Sequence, residues 1–321
     1  MNLNQSDYCL GFSCPERSVS TALYVFSYVS TAAVVFLTVC GNLLIIISVC
    51  HFKQLHTPTN MLILSLAVSD CLVGVYVIPT ALIWMIESCW IFTAFSRACF
   101  TFMSCFLTTM SIYIVALIAV DRYFALSKPF LYNKTVSLRT THIVVLSNWF
   151  VWLFYNFAIL YFNGGFVSHV CLEDYIFFLD QVWSLLDLFL TFVFPLSVII
   201  IFYVQVFFIA KKHATAIREL NSHTRTSKNM SDSMKSERKA AKVLGILVSV
   251  FVACLLPYFV YTVLGNIEKD SFLKVLMLVY INSAINPVIY ALFYPWFRRA
   301  VKLIFTLQIF NTDSALINVL S

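Results

Sequence analysis

The stretch from Cys99 to Val120 contains no Asp, Glu, Lys, Arg or His. It runs for more than twenty residues and then ends abruptly in Asp121-Arg122-Tyr123. A helix of about 20 apolar residues, rising ~1.5 Å at each, crosses the hydrocarbon of a bilayer. The stretch therefore reads as a single membrane-spanning helix. Charges are expensive inside lipid, so Asp121 and Arg122 belong at one membrane edge and Cys99 marks the other.

The rest of the chain repeats this pattern. Of 321 residues, 61% are hydrophobic and 11% charged, where a soluble domain carries roughly 25% charged residues. Apolar spans fall at about 22–50, 58–84, 96–120, 141–163, 182–210, 241–265 and 272–294. The expected fold class is an all-α membrane protein, a seven-transmembrane helix bundle over 22–294. Residues 1–21 precede it, and 295–321 form an amphipathic helix and tail. Residues 1–18 lack the basic and apolar regions of a cleavable signal, so the first span is expected to target the chain.

Charge bias sets the orientation. Lys128, Lys134 and Arg139 follow the third span. Lys211, Lys212, Arg218, Arg225, Lys228, Lys235, Arg238 and Lys239 lie between the fifth and sixth, and Arg298, Arg299 and Lys302 follow the seventh. All fall on one side, which is cytoplasmic by the positive-inside rule, so the N-terminus is outside. The protein is expected in the plasma membrane, in contact with lipid and with no nucleic-acid partner. In Phe297–Phe305 the apolar positions 297, 301, 304 and 305 oppose the basic ones, as in a helix lying on the inner leaflet.

Ten cysteines divide by side. Cys40, Cys50, Cys71, Cys105 and Cys254 lie in or at the ends of spans and read as packed thiols. Cys9, Cys14, Cys89, Cys99 and Cys171 are outside, where disulfides persist. Cys99, which starts the third span, and Cys171, in the loop before the fifth, are the expected bridge. An odd number leaves at least one cysteine free or paired elsewhere. Asn4-Gln5-Ser6 is a glycosylation sequon on the outer side.

Several motifs now combine. Gly41-Asn42, Leu66-Ala-Val-Ser-Asp70, Asp121-Arg122-Tyr123 and Asn286-Pro287-Val-Ile-Tyr290 stand in order along the chain. Together they resemble the rhodopsin-like G-protein-coupled receptors. Within that family, Ile86-Glu-Ser-Cys-Trp90, Lys235-Ser-Glu-Arg-Lys-Ala-Ala-Lys242 and Tyr290-Ala-Leu-Phe-Tyr-Pro-Trp-Phe297 resemble the trace amine-associated receptors. The resemblance implies an olfactory amine receptor, not an enzyme, acting through a stimulatory G protein and cyclic AMP. No cofactor is implied beyond an allosteric sodium ion.

A primary amine is a cation at neutral pH, and an apolar pocket needs a carboxylate to hold it. The usual amine receptor carries an aspartate in the outer half of the third span. This chain has none there, and Ser104 stands at that depth, eighteen residues before Arg122. The fifth span instead holds Asp187, eight residues before Pro195. An ionisable residue within a span is a functional-site hypothesis, and the chain resembles the fish receptors with their amine-binding aspartate at this place. The alternative is a structural Asp bonded to a neighbouring helix. Asp180, seven residues earlier, either guides a cation inward or is a solvated helix-start charge. Ser104, Thr108, Tyr258, Phe259 and Tyr280 are expected to line the pocket or simply to pack.

By the same resemblance, Arg122 pairs with Glu237 to tie the third and sixth spans until a ligand releases them. Asp121, Tyr123, Tyr203, Asn286, Pro287 and Tyr290 belong to that switch. Asp70, with Asn42, Ser111, Asn282, Ser283 and Asn286, resembles the family's sodium site, or forms a polar network with water. The family's tryptophan before Leu256-Pro257 is Leu255 here, which is expected to deepen the pocket. A receptor of the same family that has left amines for another ligand, or a non-olfactory monoamine receptor, is the second reading. An opsin lacks its lysine, since Tyr280 sits at the depth concerned. A transporter lacks repeats, and an enzyme lacks a catalytic cluster.

Overall fold

Seven apolar helices and one amphipathic helix make up most of the described chain, residues 20–87, 90–163, 181–223, 245–261, 269–311 and 314–320 of a computed structural model. The first span is α1 (Thr21–His51). The second is α2 (Pro58–Leu72), continued through a π-turn at Val73–Val77 into α3 (Ile78–Glu87). The third is α4 (Ala94–Ser127), followed by the short α5 (Pro129–Thr135). The fourth is α6 (Leu138–Phe162). The fifth is α7 (Gln181–Leu188), a π-turn at Phe189–Val193, and α8 (Phe194–His223). The sixth is α9 (Gly245–Tyr261), the seventh α10 (Lys269–Phe293), and α11 (Pro295–Phe305) is the amphipathic helix.

Local chemistry explains where the spans begin. Ser20, Thr57, Thr93 and Ser137 each precede a helix, and each side chain accepts from a backbone N–H three residues on, at 3.2–3.4 Å. Such caps satisfy donors that the first helical turn leaves without partners. Proline follows the cap at Pro58, where its missing N–H costs nothing.

The third span is the axle. Leu107, Met110, Val115 and Ala119 of α4 are wholly buried, and α4 packs against α2, α6 and α8. The first span packs against the second and seventh. Trp149 Nε1 of α6 donates to Ser65 Oγ of α2 at 2.9 Å, joining the second and fourth spans. Large apolar side chains such as Phe36, Phe154 and Phe208 are exposed on the outer faces, as lipid requires.

At the cytoplasmic end Arg298 turns back and donates to the carbonyls of Ala291 and Leu292 at 3.1 and 3.0 Å. These carbonyls close the last turn of α10, where a cation is favoured by the helix dipole. In α11, Trp296, Phe297 and Ala300 are buried while Arg298, Arg299 and Lys302 are exposed. Beyond it Leu307 adopts a left-handed conformation (φ 58°) and the chain reverses. The tail then folds back onto the first cytoplasmic loop. Ser314 Oγ donates to Ile309 O at 2.6 Å, so its oxygen accepts from His51 Nε2 at 3.0 Å. Val319 is fully buried in the core that also contains Phe52 and Leu55.

Gly41 lets α1 meet α10 closely. A Cβ there would lie 2.6 Å from Pro287 Cβ and 2.8 Å from its Cγ, both in a rigid ring. Gly41→Val is expected to cost about 1–3 kcal/mol through overpacking. A lower melting temperature of the purified protein in detergent measures it; an unchanged one would mean the helices separate freely.

Candidate functional site

The fifth span carries the only acidic side chain described within it, and that side chain turns inward. Val182 to Leu186 are all exposed, whereas Asp187 is half-buried. Tyr155 of α6 donates its hydroxyl to Asp187 Oδ1 at 2.9 Å. Cys105 of α4 and Tyr258 of α9 lie within electrostatic reach of the same carboxylate. Four spans therefore converge on Asp187. Thr191 Oγ1 donates to the Asp187 carbonyl at 2.8 Å within the π-turn.

The expected lining residues divide around this point. Ser104 and Tyr280 are brought together in a hydrogen bond between the third and seventh spans. Tyr280 is buried and Tyr258 half-buried. Phe259 stacks on Phe192 of the π-turn, ring centres 3.8 Å apart. Thr108 lies deeper, facing a space of about 10 Å³ lined also by Ser111, Phe251, Leu255 and Tyr280. That is room for roughly one water. Leu255 borders this space together with Phe251 and Val279. Two thiols expected to pack, Cys50 and Cys105, are exposed instead. Cys105 lies within electrostatic reach of Asp187, and Cys50 sits at the cytoplasmic end of α1.

Asp70 is wholly buried close to the middle of the second span. Ser283 donates to its Oδ1 and Asn286 to its Oδ2, both at 2.7 Å. Asn42 donates to Ser283 O at 3.1 Å, while its own Oδ1 has no partner among the described residues. Ser111 Oγ lies 3.3 Å from Ser69 Oγ. Asn282 lines the adjacent small space rather than touching the carboxylate. Among the described residues Asp70 is thus bonded by one neutral hydroxyl and one neutral amide.

The cytoplasmic end holds a cavity of about 410 Å³ lined by Thr57, Asn60, Ile63, Arg122, Tyr132, Leu247, Tyr290 and Tyr294, among others. Arg122 pairs with Asp121 at 2.7 Å and also touches Thr59. Thr59 and Tyr132 donate to the two oxygens of Asp121, each at 2.7 Å. Burial and this carboxylate together push the Tyr132 hydroxyl pKa up. Tyr123 packs on Phe202 of α8. The Tyr290 hydroxyl is buried without a partner among the described residues. Pro287 lies against Gly41.

A model of the rhodopsin family of seven-transmembrane receptors matches residues 41–290. Trace amine-associated receptor 13c of Danio rerio is 36% identical, over 99% of both chains. Trace amine-associated receptor 4 of Mus musculus is 34% identical over 94% of this chain and 91% of its own. Trace amine-associated receptor 7e of Rattus norvegicus is 37% identical over 99% and 90%. The chain belongs to the rhodopsin family of seven-transmembrane receptors, in its trace amine-associated group. It is a multi-pass receptor of the plasma membrane and not an enzyme.

For this receptor, several expected site residues lie outside the described residues: Asn4, Cys9, Cys14, Cys89, Cys171, Asp180 and Glu237. Cys99 is half-buried at the outer end of α4, with no bridging partner among the described residues. Sequence reasoning missed Tyr155 and Cys105. Tyr155 shares a helix face with Asn148 and Trp152, a stripe of polar-tipped residues at spacings of four and seven that was visible in the fourth span.

The inner ends of the fifth and sixth spans meet at a glycine. A Cβ on Gly245 would lie 1.6 Å from Tyr203 Oη and 2.5 Å from its Cζ. A side chain there requires either the Tyr203 ring to move or α8 and α9 to part beside the cytoplasmic cavity. Gly245→Ala is expected to raise ligand-independent signalling, measured in transfected cells at matched surface level. A basal signal equal to wild type would show that the ring simply swings aside.

Proposed function

We propose that this receptor senses amines, with the ammonium group held by Asp187. The single observation carrying this reading is a membrane-span carboxylate turned toward the bundle interior and oriented by Tyr155. One oxygen is fixed by that hydroxyl, which leaves the second to accept from a ligand cation. Tyr258 and Tyr280 add aromatic faces and hydroxyls, and aromatic faces attract ammonium groups. Ser104 and Tyr280 bond to each other, so the third-span side of the pocket presents neutral dipoles instead of a second charge. Relatives named as trace amine-associated receptors support the ligand class. Asp180, seven residues earlier in the sequence, would draw cations toward the mouth.

Binding at Asp187 would act on the cytoplasmic end through the bundle. We assign Arg122, Asp121, Tyr123, Tyr203, Asn286, Pro287 and Tyr290 to the switch, with Glu237 as the sixth-span partner of Arg122. Outward movement of α9 would enlarge the cavity beside Arg122 and admit a heterotrimeric G protein of the stimulatory type, raising cyclic AMP in an olfactory cell. Cys99–Cys171 would hold the covering loop, and Asn4 would carry glycan. Asp70 would hold a sodium ion: Asp70, Ser111 and Ser283 offer the all-oxygen set that a hard cation prefers, and a water-sized space adjoins them. A receptor of the same family answering a non-amine ligand is the second reading, favoured by the neutral Ser104–Tyr280 pair.

The test is a cyclic AMP assay in transfected cells against primary amines. Asp187→Asn keeps the shape and removes the charge. Its expected cost is about 2–5 kcal/mol, on the order of 30- to several-thousand-fold in potency, at unchanged surface expression. Unaltered potency would remove Asp187 from the amine site and favour the second reading. Separately, Glu237→Ala is expected to raise basal cyclic AMP; a silent mutant would dissolve the tie to Arg122.

A further inference from the structure

Asp187 reaches the interior because the fifth span is not a continuous α-helix. Eight α-helical residues separate Asp187 from the buried Pro195, and at about 100° each they would set the two about 80° apart around the axis. The π-turn at Phe189–Val193 absorbs one extra residue. The effective spacing becomes about seven residues, and the offset shrinks to about 20°. Asp187 thereby joins the buried face that contains Phe192, Pro195, Ile199 and Val206. Without the turn, the carboxylate would rotate toward the neighbouring exposed residues and lipid.

A π-turn needs support, because it widens the helix and frees backbone groups. Two contacts supply it. Phe192 is stacked on Phe259 of α9. On the opposite flank, Tyr113 of α4 donates its hydroxyl to Leu190 O at 2.6 Å. Leu190 lies inside the turn. The Tyr113 ring is in contact with Trp152, centres 4.2 Å apart, and Trp152 with Tyr155, 5.2 Å apart. Tyr155 in turn donates to Asp187. The carboxylate is therefore fixed along two routes that share one residue: through the Leu190 carbonyl and the backbone, and through the ring stack.

We infer that Tyr113 is a positioning residue for ligand recognition, its hydroxyl pinning the π-turn that swings Asp187 into the bundle. This rests on the reading of Asp187 as the ammonium partner. Tyr113 itself contacts the turn and the ring stack; its influence on ligand passes through the direction of the carboxylate. The chemistry selects a donor at this place, since the Leu190 carbonyl accepts it within an apolar layer where an unanswered carbonyl is costly.

Full-length receptor in transfected cells, tested with butylamine through octylamine, benzylamine and phenylethylamine, decides the matter. Tyr113→Phe keeps the ring and removes the donor. The expected result is a loss of about five- to tenfold in agonist potency, the worth of one hydrogen bond, at unchanged maximal response and surface level. Asp187→Asn, run beside it, separates the two claims. If Asp187→Asn keeps wild-type potency, or wild type is silent to the whole panel, the amine reading fails and this inference with it. If Asp187→Asn loses the response while Tyr113→Phe keeps wild-type potency, the amine reading stands and the role of Tyr113 is overturned. A Tyr113→Phe receptor with fewer copies at the surface and unchanged potency would also overturn it, leaving the hydroxyl a purely structural contact.

Discussion

A carboxylate in the hydrocarbon layer must have its charge answered, and the rest of this bundle is arranged around that demand. Desolvating an ion costs several kcal/mol even after relaxation. Two acidic side chains sit deep in the described spans, Asp70 and Asp187. They are answered differently. Asp70 is sealed, with donors from the seventh span on both oxygens. Asp187 has one oxygen held by Tyr155 and an exposed thiol beside it. The first arrangement ties the second span to the seventh; the second leaves one carboxylate oxygen without a hydrogen-bond partner among the described residues.

The bundle class was legible from charge and length alone. Uninterrupted apolar runs follow from the cost of exposing backbone to lipid, and the basic residues gathered on one side follow the positive-inside rule. Asp187 was legible for the same reason, because an acid amid Leu and Phe needs an explanation wherever the helix places it. What could not be read was its direction. Helical counting from Pro195 puts it well off the buried face, and the π-turn that corrects the count has no signature of its own. The nearest sequence clue is the proline. Pro79 and Pro195 each stand two residues beyond a π-turn, and a proline withholds the N–H that a regular ladder would use.

Tyrosines do much of the polar work that charges do in soluble proteins. Tyr113, Tyr155 and Tyr280 each bring a hydroxyl to a specific acceptor or partner across a helix boundary, while their rings satisfy the apolar surroundings. This pairing of body and tip is why they can be placed mid-membrane at low cost. Their sequence signature is weak, since sixteen tyrosines are spread through the chain and only the fold distinguishes bonded from merely packed ones. The inner end reads similarly. The Asp121-Arg122 pair announces itself, but Thr59 and Tyr132, which fix its geometry, are unremarkable in the sequence.

The returning tail gives the cytoplasmic surface an unusual economy. Ser314 is clasped by His51, and Val319 is sunk beside the first loop. An enzyme or adaptor that reads this segment as an extended peptide must first peel it off its seat. Its apparent affinity is then discounted by the fraction of time the peptide spends detached. Conversely, any shift of the first loop that loosened this seat would make the peptide available to the cytosol.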